Sequence, residues 1–87
     1  MLKYTKEYLE KAHNHCIYHR AELENSSYCG CFHCLQVFNP KDIICWIDED
    51  KTALCPLCGI DSVIGDDSGY PVRDKRFLKA MYRRYFT

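Results

Sequence analysis

Cys31-Phe32-His33-Cys34 and Cys55-Pro56-Leu57-Cys58 are the two stretches that decide the fold of this 87-residue chain. Each stretch has two cysteines separated by two residues, and twenty residues lie between the stretches. Two thiolates at this spacing can bind one ion from a single tight turn, so two such turns supply the four sulfur ligands that zinc prefers. The pattern predicts one Zn2+ per chain, with iron in the same ligands as the alternative. Because four thiolates fill every coordination position, we expect the metal to be structural.

The residues around these pairs leave alternatives for the ligand set. Cys29 stands two residues before Cys31 and could replace it. His33 could replace a thiolate, although a loop histidine is expected to face solvent. Cys16 and Cys45 are predicted to be small buried apolar side chains.

The cysteines and the first residues of the chain indicate the cellular compartment. Seven cysteines is an odd number, and the first twenty residues contain no apolar run typical of a secretory signal. We therefore expect reduced thiols and a cytoplasmic location, not a disulfide framework. No segment is apolar enough to span a membrane.

Size and charge limit the class of protein. A chain of 87 residues forms one domain with a small hydrophobic core, so a stabilising metal is expected. The net charge is zero, but residues 39–70 carry seven acids and two bases, net −5, whereas residues 71–87 carry six bases and one acid, net +5. The two segments either neutralise each other or leave a basic patch for an anionic partner.

We predict a small α+β fold: one zinc-binding domain over 1–87 with a zinc-ribbon-like core at 28–71, an N-terminal helix at 1–27 and an amphipathic C-terminal helix at 72–87. The N-terminal helix is indicated by apolar residues three, four or seven positions apart. These are Leu2, Leu9, Ala12, Cys16 and Leu23.

The core is predicted to contain short strands at 36–38, 52–54 and 62–64. Asn39-Pro40 is typical of a helix start, with Asn as the cap and Pro in the first turn. The apolar run at 43–47 fits the flank of that short helix or a buried strand, and so few residues cannot distinguish the two.

The tail gives the clearest helical pattern. Asp74 is its predicted cap, apolar side chains fall on one face, and bases fall on the other. The apolar face consists of Phe77, Leu78, Met81, Tyr82, Tyr85 and Phe86, and the basic face includes Lys75, Arg76, Lys79 and Arg83.

Two further groups are candidate functional sites. His15 and His19 lie one helical turn apart on the same face, a spacing that can hold a second metal; a partly exposed helix face with Cys16 in the core is the favoured interpretation. A possible binding surface follows the second cysteine pair, where a polar loop leads into the basic tail. It comprises Asp61, Ser62, Asp66, Tyr70, Arg73, Arg76, Lys79 and Arg83.

Several motifs together resemble a family of short bacterial cytoplasmic proteins of unknown function. They are Cys-Gly-Cys-Phe-His-Cys at 29–34, Thr-Ala-Leu-Cys-Pro-Leu-Cys-Gly-Ile-Asp-Ser-Val-Ile-Gly at 52–65 and Ser-Gly-Tyr-Pro at 68–71. The resemblance covers about residues 29–86 and implies a cytosolic zinc-ribbon-like protein without an established activity. Leu35 follows Cys34 where ordinary zinc ribbons have glycine, so the first turn departs from the usual pattern.

The sequence favours a zinc-stabilised binding or adaptor protein that acts on a protein partner. The alternative is a nucleic-acid-binding zinc ribbon that places the basic tail helix on phosphates, which would bind less tightly as salt rises. A small metal-dependent hydrolase or nuclease using His15 and His19 is the second alternative. An enzyme is the weaker interpretation, because no complete set of acid, base and nucleophile is evident.

Overall fold

Two small antiparallel sheets lie at the centre of the structure, a computed structural model that describes residues 4–86. The helices are α1 (Lys6–His13), α2 (Arg20–Glu24) and α3 (Lys75–Phe86), and the strands are β1 (Cys29–Cys31), β2 (Val37–Phe38), β3 (Trp46–Ile47), β4 (Thr52–Ala53) and β5 (Val63–Gly65). Single 3-10 turns occupy Asn14–Cys16, Pro40–Asp42 and Asp66–Ser68. The predicted small α+β class is confirmed.

The strand order places β1 at the centre of the larger sheet. Its order is β2-β1-β5, and the smaller sheet consists of β3 and β4. Gly30 in β1 lies opposite Val37 on one side and Ile64 on the other, and Cys31 lies opposite Val63. The first cysteine turn therefore joins β1 to β2, and the second leads from β4 towards β5.

The N-terminal helical region is divided, whereas the sequence predicted one helix over 1–27. Thr5 caps α1 by accepting a hydrogen bond from the Tyr8 amide, but the chain becomes extended at Ile17 and left-handed at Tyr18, with φ of 48°. The Tyr18 amide donates to the Thr52 hydroxyl, a partner 34 residues away. This tertiary bond competes with the helix and ends it; Leu2 lies outside the described residues.

The central segment follows the predicted pattern in part. Strands overlap each of the three predicted ranges, and Asn39 accepts the Lys41 amide as a cap, although its helix is only one 3-10 turn. The strand β1 was not predicted. The ambiguous run at 43–47 contains the strand β3, not a helix. The prediction that Cys45 is buried is wrong, since it is exposed beside β3.

The C-terminal helix is confirmed. Asp74 caps α3, because the Arg76 amide donates to Asp74 Oδ1 at 2.9 Å. Phe77, Leu78 and Met81 are fully buried along its apolar face. Within residues 4–86, no helix is long and apolar enough to cross a membrane.

The larger sheet separates two hydrophobic cores, because alternate residues of a strand point to opposite faces. We call the core under the helices the helix-side core, and the one under the cysteine turns the metal-side core. The helix-side core contains Leu9, Ala12, Cys16, Phe32, Ile64, Val72, Phe77, Leu78 and Met81. The metal-side core contains Leu23, Cys29, Cys31, Phe38, Ile43, Ala53, Cys55 and Val63.

Two arginines of the C-terminal helix form ion pairs with nearby acids. Arg76 pairs with Asp74 at 3.1 Å, and Arg84 pairs with Glu10 of α1. Both acids lie outside the acidic segment 39–70. These two arginines are therefore neutralised by the start of α3 and by α1, not by the acidic middle of the chain.

Gly30 lies in close contact with Val72 and with Leu78 of α3, and this gives a test of the packing. A Cβ at Gly30 would lie 2.5 Å from the Val72 carbonyl oxygen and 3.2 Å from Leu78. We expect Gly30→Ala to lower the free energy of unfolding by about 2–3 kcal/mol, as overpacking does. The measurement is denaturant unfolding of the metal-loaded protein.

Gly69→Ala is the matched control. Gly69 has φ of +89° but no atom within 4 Å of an added Cβ, so only backbone strain of about 1 kcal/mol is expected. If Gly69→Ala lowers the free energy of unfolding more than Gly30→Ala does, crowding around Gly30 is not the reason that glycine is needed there.

Candidate metal centre

The two cysteine turns have the same backbone construction. In the first, the Leu35 amide donates to the Cys31 carbonyl at 2.8 Å; in the second, the Gly59 amide donates to the Cys55 carbonyl at 2.9 Å. The residue after each pair is left-handed, with φ of 63° at Leu35 and 81° at Gly59. The departure from glycine at Leu35 therefore leaves the turn geometry unchanged.

Leu35 adopts this conformation at an energetic cost. A left-handed conformation costs a residue with a Cβ roughly 1–2 kcal/mol. The side chain of Leu35 is half-buried against the helix-side core, a contact that glycine could not make. Packing of Leu35 thus offsets part of the strain at the position where zinc ribbons usually have glycine.

The four sulfur atoms converge at the separations that a tetrahedral metal requires. Cys31, Cys34, Cys55 and Cys58 each offer one Sγ, and all four atoms lie within 4.8 Å of one another. The Cys31–Cys58 and Cys34–Cys55 sulfur separations are 3.6 and 3.7 Å. A tetrahedron with zinc–sulfur bonds of about 2.3 Å has edges of about 3.8 Å. The donor set therefore fits a metal ion of this class.

Backbone amides surround the sulfurs with hydrogen-bond donors. The His33 amide lies 3.4 Å from Cys31 Sγ, and the Leu57 amide lies 3.4 Å from Cys55 Sγ. The amides of Gln36 and Ile60 play the same part for Cys34 and Cys58. Since a divalent ion with four thiolates carries net charge −2, these dipoles stabilise the charged centre.

Ser62 adds a side-chain donor to the buried sulfur of Cys31. The Ser62 hydroxyl lies 3.1 Å from Cys31 Sγ, and both residues are buried. Burial opposes ionisation of Cys31, but the bonds from Ser62 and from the amides of Cys34 and His33 outweigh it and lower the pKa of this thiol. The Cys31 thiol therefore ionises more readily than an ordinary cysteine.

Cys34 and Cys58 are harder to ionise than Cys31. Burial and the neighbouring Cys31 raise the pKa of Cys34 to about 11, and the same two causes raise the pKa of Cys58. Metal binding replaces these protons, so metal affinity depends on pH. A metal held by all four sulfurs would have no open coordination position.

Cys29 lies outside the group of four sulfurs. It is fully buried in the metal-side core, where burial and Asp66 raise the pKa of its thiol to about 12. Cys29 is excluded from the ligand set by its position, and its side chain packs in this core as a small apolar group. All seven cysteines are free thiols.

His33 lies between two ligands, yet it packs on α3. Its ring makes an edge contact with Phe86, with centroids 4.7 Å apart, and its Nδ1 is buried. The expectation that it faces solvent is therefore wrong. His33 instead connects the first cysteine turn to the end of α3.

His15 and His19 are not brought together as a metal site in the described part of the chain. His15 Nδ1 lies 3.0 Å from Glu22, whereas His19 is buried and its Nε2 lies 2.9 Å from the Val63 carbonyl oxygen. Burial lowers the pKa of His19, so the ring is neutral and donates Nε2–H to that carbonyl. The break at Ile17 and Tyr18 explains the outcome, because it removes the helical spacing on which the prediction depended.

The predicted surface at 61–83 is dispersed over several environments. Ser62 supports the metal centre, and Asp66 Oδ1 accepts the Ser27 amide at 2.9 Å. Tyr70 stacks near Phe77 in an aromatic cluster, and the Arg73 guanidinium lies over the Tyr28 ring. The other members are Asp61 and Lys79, which are exposed, Arg76, which pairs with Asp74, and Arg83, which also has an interaction within the chain.

The sequence did not predict that Ser62 contacts the sulfur of Cys31. The only sequence signal is its position one residue before Val63, which pairs with Cys31 across the sheet. Without the register of β5 on β1, nothing marks this serine as a partner of a ligand.

Comparison with known proteins gives no relative: the chain matches no protein-family model, no curated protein and no solved structure. The resemblance to the short bacterial family stays a prediction.

The ligand set can be tested by single substitutions. We expect Cys34→Ser and Cys55→Ser to lose stoichiometric metal and to unfold at much lower temperature, because structural zinc contributes on the order of 10 kcal/mol in zinc-finger peptides. Cys29→Ser should keep one ion per chain, and the exposed Cys45→Ser should keep both the ion and the melting temperature. Elemental analysis and thermal melting are the measurements. Loss of metal in Cys29→Ser would refute the assignment.

Ser62→Ala tests the hydrogen bond to the ligand. Outer partners of metal ligands typically contribute about 10–100-fold to metal affinity, so we expect a loss in that range in a chelator competition titration. Ser68→Ala is the control, since the Ser68 hydroxyl donates to the Gly65 carbonyl and touches no sulfur. Equal affinities of the two variants would contradict the role given to Ser62.

Proposed function

We propose that this chain is a zinc-stabilised binding module that acts on a protein partner. A closed four-sulfur centre leaves no coordination position for a substrate, which supports a structural metal. The proposal includes a cytoplasmic location, supported by seven free cysteines, and membership of the short bacterial family that the sequence resembles.

The observation that carries this proposal is the exposure of Ile44. This side chain is 83% exposed beside β3, next to the half-buried Trp46. Isolated exposed apolar residues are common, but Ile47 and Tyr18 are also exposed, and both lie next to Thr52 of the β3–β4 hairpin. Several exposed apolar side chains in and beside one hairpin support a protein interface there.

A nucleic-acid partner is the alternative, and the basic tail is its basis. Lys75 and Lys79 are exposed on α3. However, Arg76 and Arg84 are paired with acids of the chain, and Arg73 is stacked on Tyr28. The charge available for phosphates is therefore smaller than the sequence count, which favours the protein partner.

An enzyme with a second metal is not favoured by the geometry. Among residues 4–86, one group of three or more metal-ligating side chains is present, and it is the four cysteines. Metal analysis that finds two ions per chain would support the enzyme.

Affinity capture from the source organism tests the proposal. The metal-loaded protein should retain a protein partner, and Ile44→Ser should lose it, because a polar side chain replaces the most exposed apolar contact. Leu57→Ser is the matched control, since Leu57 is 63% exposed but lies on the second cysteine turn. Retention of nucleic acid that depends on Lys79 and not on Ile44 would contradict the proposal.

A further inference from the structure

Within residues 4–86, the strand β3 is paired along one side only. The Leu54 amide donates to the Cys45 carbonyl at 3.0 Å, and the Lys51 amide donates to the Ile47 carbonyl at 3.1 Å, so Cys45 and Ile47 face β4. Because residues of an antiparallel ladder alternate, the backbone groups of Ile44 and Trp46 face away from β4. These groups form a free edge.

The outer side of β4 is covered, in contrast to β3. The His19 amide donates to the Lys51 carbonyl at 2.8 Å, and the Tyr18 amide donates to the Thr52 hydroxyl at 2.9 Å. The segment before α2 thus occupies that side. β3 is the open edge of this two-stranded sheet.

The residues at this edge lack two features that normally prevent strand pairing, although β3 itself is short. Charged side chains and prolines protect many natural edge strands. The run Ile43–Ile47 contains no charge and no proline, and Ile44 is 83% exposed. Such an edge is suited to the addition of an extended segment from another protein.

A groove beside the edge can accept side chains of that segment. Its volume is about 620 Å³, and its walls include Ile43 and Trp46 on the β3 side and Arg20 and Glu24 on the α2 side. The Arg20 guanidinium lies 4.3 Å from the centre of the Trp46 ring and 3.0 Å from a Glu24 carboxylate oxygen. The groove therefore offers both apolar contacts, from Ile43 and Trp46, and polar groups, from Ser26, Ser27 and Asn39.

Acidic residues stand at both ends of the free edge. Asp42 precedes the run, and Asp48, Glu49 and Asp50 follow it, all of them exposed. Lys41 and Lys51 lie one position farther out, so the segment 41–51 has four acids and two bases, net −2. A partner with basic residues at both ends of an apolar strand complements this distribution.

A second copy of this chain is a poorer partner. An antiparallel pair of β3 edges centred on Cys45 would place Asp42 opposite Asp48 of the second copy, because both are three residues from the centre. Like charges directly opposite are destabilising. Pairing of two copies in this register is therefore disfavoured.

We propose that the free edge of β3 binds an extended protein segment with an apolar, β-prone centre and basic residues at both ends. The inference rests on the proposed function and specifies the chemistry of the partner. Backbone hydrogen bonds to Ile44 and Trp46 supply affinity, and the acids at 42 and 48–50 select the basic ends.

A synthetic peptide tests this inference directly. The probe has alternating valine and threonine between pairs of lysines, and the matched control peptide has glutamates in place of the lysines. Trp46 is the only tryptophan, so its fluorescence reports binding at the edge. We expect saturable binding of the lysine peptide that weakens with salt, and at least about tenfold weaker binding of the glutamate peptide.

Variants of the protein locate the site. Ile44→Lys should weaken binding of the lysine peptide by at least about tenfold, because it places a charge on the edge. Asp48→Asn combined with Asp50→Asn should weaken it by about fivefold and reduce its salt dependence. Leu57→Lys, on the second cysteine turn, should bind as the unmodified protein does. Metal content of each variant confirms that it is folded.

Three outcomes would overturn the inference: equal binding of the two peptides, undiminished binding by Ile44→Lys, or sedimentation as a dimer that Ile44→Lys dissociates. The last would make a second copy the occupant. A captured partner that Ile44→Ser loses, together with no binding of the lysine peptide, would leave the proposed function standing and refute only the strand-addition mode. Peptide binding without any captured partner would refute the proposed function alone.

Discussion

The convergence of four sulfur atoms is the constraint on which the rest of the structure depends. The two sheets share no ladder, and their strands have two or three residues each. Strands this short contribute little stability on their own. An ion bound to Cys31 and Cys34 from the first turn and to Cys55 and Cys58 from the second would join the two sheets. His19 connects them as well, because its amide donates to the Lys51 carbonyl and its ring bonds to the Val63 carbonyl.

The same centre also positions the helices, because β1 contributes residues to both faces of the larger sheet. Cys31 points to the metal, whereas Gly30 admits Val72 and Leu78 on the opposite face. His33 extends the connection by packing its ring on Phe86 at the end of α3. The apolar face of α3 therefore has a fixed place to pack. A small core thereby gains the rigidity that an exposed edge needs if it is to bind without reorganisation.

Local patterns predicted the parts of the fold that local interactions determine. Cysteine spacing identified the four sulfurs that converge, and the apolar periodicity of Phe77, Leu78 and Met81 identified α3 and its buried face. The division of the N-terminal helix could not be predicted in this way, because the Tyr18 amide finds its partner on Thr52, 34 residues away. For the same reason the metal site at His15 and His19 failed, since it assumed an unbroken helix. Burial of Cys45 was mispredicted because its run of five residues does not show which side of a strand faces solvent.

X-ray absorption spectroscopy of the purified protein is the most direct test of whether four cysteine sulfurs bind one metal ion. The absorption edge identifies the metal, and the fine structure counts and identifies its neighbours. For a closed four-sulfur centre we expect one ion per chain with a single shell of four sulfurs at about 2.3 Å, the zinc–thiolate distance. A shell containing nitrogen or oxygen at about 2.0–2.2 Å would show that a histidine, carboxylate or water replaces a thiolate, and would contradict the closed four-sulfur centre.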